Sequence, residues 1–144
     1  MPPKSSLLVA TLSAWMYAAI SCAALPFLYV VPQLKAMGGM APLIAALVVG
    51  ALVAIPLSIF VRRMSGFSAP EKNVWAMLTA REAAIFGVVS WGIPVGLMFM
   101  VNEFLERSDP FAVVPALVIW PVGGVAFGLL TRWLAQRRDA RVVA

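Results

Sequence analysis

Four apolar runs, at about residues 7–31, 41–61, 81–101 and 111–131, leave this 144-residue chain few choices of fold. Each reaches the roughly 20 residues that an α-helix needs to cross a bilayer. The second, Ala41 to Val61, carries no charge and as a helix measures roughly 31 Å, the thickness of a hydrocarbon core. Composition agrees: the chain is 62% hydrophobic and 12% charged, against roughly 45 to 50% and 25% in soluble domains. The expected fold is an all-α integral membrane protein, a single domain over residues 1–144 with four spans arranged as two hairpins. The lipid bilayer is its first partner.

The chain pivots on Arg62 to Glu82, where charge and turn chemistry interrupt the apolar sequence. Ser65-Gly66 reads as a turn. Ser68-Ala69-Pro70-Glu71 fits a capping box and starts a short helix at about 69–78, with Val74, Trp75 and Leu78 on its apolar side, suited to the membrane interface. Thr79-Ala80-Arg81-Glu82 repeats the capping pattern and opens the third span. Elsewhere, Gln33 to Gly39 reads as a turn, Glu103 to Asp109 as an acidic turn closed by Pro110, and the tail beyond Arg138 as frayed. Ala19-Ile20-Ser21-Cys22 resembles a loose lipoprotein cleavage box, but apolar residues continue past Cys22 and the basic start is thin, so the first run is expected to stay as a helix.

Lys4, Arg62, Arg63, Lys72, Arg81, Arg132, Arg137, Arg138 and Arg141 fall on one side of this arrangement, and only Lys35 and Arg107 on the other. This bias predicts cytoplasmic termini in a bacterial inner membrane. It also accounts for the net charge of +5 without nucleic acid, for which no basic stripe with interleaved aromatics exists. Histidine is absent and Cys22 is the single cysteine, which excludes an internal disulfide, His-ligated zinc or haem, and a histidine base. No cofactor is expected.

Offsetting the chain by 70 residues lays Ala41–Arg62 over Phe111–Arg132 without a gap, pairing Ala54 with Gly124 and Ser58 with Gly128. With two crossings per unit, the repeat it suggests is parallel.

Small residues recur at four-residue spacing: Gly50, Ala54 and Ser58; Gly92 and Gly96; Gly124 and Gly128. In lipid such spacing lets backbones approach, within the chain or, as the sharper expectation for Gly92 and Gly96, against another subunit. Pro26, Pro56, Pro94 and Pro121 sit inside the runs and predict static kinks. Ser13, Tyr17 and Ser21 form a polar stripe; with Ser90 and Trp91 opposite they outline a polar path, unless the hydroxyls bond helix backbone instead. Met37, Met40, Met98 and Met100 are soft donors suited to a Cu(I) site, or ordinary gap fillers.

Catalysis is not expected: the serines lack a base, and carboxylates cluster only at Glu103, Glu106 and Asp109 in a solvated turn. No Asp, Glu, Lys or Arg lies in the middle of a run, which weighs against ion-coupled transport. The reading is a small non-catalytic accessory, assembly or interaction subunit that meets a protein partner, or itself, through small-residue helix faces. The alternative is a small homo-oligomeric transporter or channel-like protein.

Overall fold

The computed structural model of the protein describes residues 4–64, 73–107, 111 and 114–143, and among these the only regular structure is helical. Helix α1 (Lys4–Tyr29) leads to a short α2 (Pro32–Ala36), then α3 (Met40–Met64). After a four-residue α4 (Val74–Met77), the third span consists of α5 (Ala80–Gly87), a π-helical turn (Val88–Gly92) and α6 (Ile93–Arg107). Helix α7 (Val114–Val143) is the last of the described elements. Four helices are long and apolar enough to cross a membrane: Ser6–Tyr29, Met40–Met64, Ala80–Arg107 and Val114–Arg141.

Several boundaries differ from the sequence expectation, each for a local reason. Residues 32–36 are helical rather than a turn because Pro32, at the first helical position, has no amide to leave unpaired. The turn comes later, at Gly38, whose φ of +91° suits glycine. The acidic segment from Glu103 to Arg107 continues the helix and is closed by an ion pair between these two residues, at 3.0 Å. Helix α7 runs past Arg138 to Val143, since no glycine or proline stops it and Ala135 is buried. The connector helix expected over 69–78 is helical over Val74–Met77, where Asn73 accepts the Trp75 amide at 3.1 Å. Ser68 and Glu71 lie outside the described residues. The Thr79 capping box is formed in full, with Glu82 N–H donating to Thr79 Oγ1 at 3.3 Å and Thr79 N–H to Glu82 Oε2 at 2.8 Å.

α1 and the third span lie side by side, with Trp15 meeting Val89 and Tyr29 meeting Asn102, so they run in the same direction. α3 packs on the outer side of α1, where Leu25 meets Leu43 and Ser21 meets Gly50. α7 packs on the third span in opposite register, Gly92 meeting Trp120 and Ala83 meeting Gly128. Among the described residues no comparable contact joins α3 to α7. The set is therefore an open bundle, in the order α3, α1, third span, α7. Leu25, Leu43, Ala46 and Met98 form a buried apolar cluster among the described residues.

Candidate functional site: the cavity between the four spans

A cavity of about 340 Å³ stands where α3 and α7 would otherwise meet, and residues of all four spans line it. Tyr17 comes from α1, Leu47 from α3, Ser90, Trp91 and Phe99 from the third span, and Trp120 from α7. The rings form a continuous column: Trp75 lies 5.8 Å from Phe127, Phe127 stacks on Trp91 at 5.1 Å, Trp91 is 5.8 Å from Trp120, and Trp120 is 4.3 Å from Phe99. Offset and tilted rings of this kind make stiff apolar walls. The column escaped the sequence reading because its members come from three separate segments.

The third span reaches this cavity through its π-turn, next to Pro94. The Ile93 amide donates to Val88 O rather than to Val89 O, and the Trp15 indole N–H donates to Val89 O at 3.0 Å. Trp15 thus ties α1 to the wall of the cavity. Toward the C-terminal ends of these two helices Tyr29 O–H donates to Oδ1 of the buried Asn102, at 3.2 Å, a second cross-link between the central helices that the sequence did not signal.

The residues of the expected polar path are placed close together, with their hydroxyls donating to backbone carbonyls. Ser13, Ser21 and Ser90 donate to the carbonyls of Val9, Tyr17 and Phe86, each within its own helix, and Tyr17 O–H donates across to Leu47 O at 3.0 Å. Tyr17 and Ser90 both line the cavity, while Ser21 is fully buried against Gly50. Among the described residues no buried side-chain nitrogen or oxygen lacks a partner. The cavity thus offers apolar surface and satisfied hydroxyls, with no Asp, Glu, Lys or Arg in its wall.

The small residues are spent on internal crossings. A Cβ on Gly92 would fall 2.7 Å from Trp120 O, and one on Gly124 2.7 Å from Val88 Cα, so glycine is what lets the third span and α7 touch backbone to backbone. Gly96 lies against the Trp120 ring and Gly128 against Ala83 O. Gly92 and Gly96 therefore face α7 within the chain. Gly50 sits over Ser21 and Tyr17 of α1, Ala54 is buried, and Ser58 Oγ donates to Ala54 O.

Of the methionines, Met98 is buried in the apolar cluster, Met100 lines a shallow pocket with Gly96 and Leu117, and Met37 and Met40 are exposed. Among the described residues no group of three or more His, Cys, Asp or Glu is gathered. At the other end of the molecule, Trp75 packs on Phe86 at 4.9 Å as well as on Phe127, Leu78 is buried, and Arg132 Nε donates to Leu78 O at 2.7 Å. Trp75 and Leu78 thus fasten this part of the chain to the third span and α7. No protein-family model, curated protein or solved structure matches this chain.

Proposed function

We propose that this chain is a non-catalytic inner-membrane interaction or assembly subunit, whose open seam between α3 and α7 receives a transmembrane segment of another protein. The observation that carries this reading is the aromatic-walled cavity standing where a closed bundle would have a helix contact. Because lipid does not drive helices together, packing contacts hold them, and among the described residues α3 and α7 are each packed along one other span only. A helix inserted at the seam would supply the missing contacts to both.

Two hairpins, α1 with α3 and the third span with α7, related as a parallel repeat, fit this reading. In support, α3 and α7 hold corresponding outer positions, and Ala54 and Gly124, paired by the repeat, are both buried. The short α4 acts as an interfacial element, with Trp75 half-buried on protein. A bacterial inner membrane with cytoplasmic termini follows from the distribution of Lys and Arg.

Native mass spectrometry of the protein extracted in mild detergent tests the proposal. Wild type is expected to carry a foreign chain at fixed stoichiometry. Val95→Phe, which projects a ring into the cavity from a residue outside the apolar cluster, should lose that chain while keeping its helix content. A homo-oligomer with no foreign chain would overturn the subunit reading in favour of a small carrier or channel.

A further inference from the structure

A second hollow, the groove between α1 and α3, has a different shape and a different chemistry. It encloses about 560 Å³ and is walled by Ala14, Tyr17, Ala51 and Ile59, with Arg62 at one end. The alanines make it a trough, since larger side chains there would fill it. Ser13 and Ser58 also line it, but their hydroxyls are bound to Val9 O and Ala54 O, so the trough makes no polar demand on whatever lies in it.

Its length carries information. From Ala51 to Arg62 along α3 is about 16 Å at the α-helical rise, and half of a hydrocarbon core is about 15 Å. The groove therefore spans one leaflet, from the middle of the membrane at Tyr17 to the headgroup level at Arg62. A solute-binding pocket has no reason to match that length. The Arg62 side chain is exposed, and among the described residues no carboxylate pairs with it. A guanidinium held at headgroup depth above an apolar trough matches a phosphate ester above an acyl chain, with two parallel N–H donors for the phosphate oxygens.

We propose that the α1–α3 groove binds one acyl chain of an anionic phospholipid from the leaflet on the Arg62 side, with its phosphate on the Arg62 guanidinium. The site is separate from the seam and does not depend on it. Arg63, the next residue, is not part of the groove wall and gives an internal control for charge alone.

The test is native mass spectrometry of the purified protein with phosphatidylglycerol and phosphatidylcholine of identical chains. Wild type is expected to retain one phosphatidylglycerol at least five-fold over phosphatidylcholine. Arg62→Gln should bring that ratio close to one, whereas Arg63→Gln should keep most of it. Ala51→Leu, which fills the trough, should lower retention of both lipids, and inorganic phosphate should not displace the bound lipid. Circular dichroism and thermal melting of each variant separate lost binding from lost fold, and the two arginine changes, at exposed positions, decide the matter even if Ala51→Leu melts early. Equal retention of the two lipids by wild type, or an equal loss of preference in both arginine variants, would overturn the proposal, leaving only the diffuse attraction of any basic surface. Displacement by phosphate alone would equally overturn it, as a free-anion site.

Discussion

Pro94 brings no amide hydrogen to the third span, and the surrounding residues are arranged around that lack. With the Ile93 amide committed to Val88 O, the donor Val89 O would meet one place further on belongs to Pro94 and does not exist. The carbonyl would stand orphaned in lipid, where an unsatisfied backbone group is costly. The Trp15 indole, coming from α1, supplies the donor. Trp15→Phe should therefore destabilise the folded protein by about 0.6 kcal/mol, the average for hydrogen bonds between membrane helices, and by no more than about 1.7 kcal/mol, the largest found. The same change in a Pro94→Ala background, where residue 94 regains its amide, should cost clearly less. A double-mutant cycle on unfolding in micelles checks this, and equal costs in both backgrounds would mean that the indole does not replace the missing N–H.

At the scale of the helices, the crossing of the third span with α7 is the most exacting contact, because Gly87, Gly92, Gly124 and Gly128 bring backbone against backbone. Gly124→Leu must push the two helices apart and should abolish folding, seen as loss of cooperative melting in detergent. Leu97→Ala, at a position 42% exposed, only removes methyl groups facing lipid and should leave the melt within about 0.5 kcal/mol. A folded Gly124→Leu protein that merely loses a partner would show that the crossing tolerates separation. What the sequence made legible here was local. Apolar length announced the four helices, and Thr79 and Glu82 announced their capping box, because both depend on neighbours within one turn. Which helix meets which was not legible, since α1, α3 and α7 are apolar on nearly every side and present no single stripe to read. For the same reason Gly92 and Gly96 could be recognised as close-packing residues, while the identity of their partner, α7, came only with the fold. Asn102 and the aromatic column were invisible because each joins positions far apart in the chain.

For the molecule as a whole, charge and helix length act together on orientation. α7, at 30 residues, is about 45 Å long, well beyond a core of about 30 Å. Its apolar first part fills the membrane and the remainder, carrying Arg132, Arg137, Arg138 and Arg141, projects from one face. Arg137 lies over the Trp133 ring at 3.9 Å, covering an aromatic suited to the headgroup zone with a cation suited to the surface beyond it. Arg62 and Arg63, at the end of α3, fall on that same face because two spans, the third and α7, lie between the end of α3 and the end of α7. The opposite face carries Glu103 and Glu106, with Arg107 already engaged by Glu103 and the Glu106 carboxylate lying against Gly39. Among the described residues only Lys35 and Arg107 stand there to compete, against the larger set of Lys and Arg on the other face. Reporters fused to either terminus should therefore read cytoplasmic, and one inserted after Arg107 should read the far side. Deleting the segment after Trp133 should weaken this preference without reversing it, because Arg62, Arg63 and Arg81 remain on the same face. A C-terminal reporter on the far side with an N-terminal one in the cytoplasm would mean an odd number of crossings. Since the third span and α7 are locked by their glycines, α1 or α3 would then be the helix lying outside the bilayer.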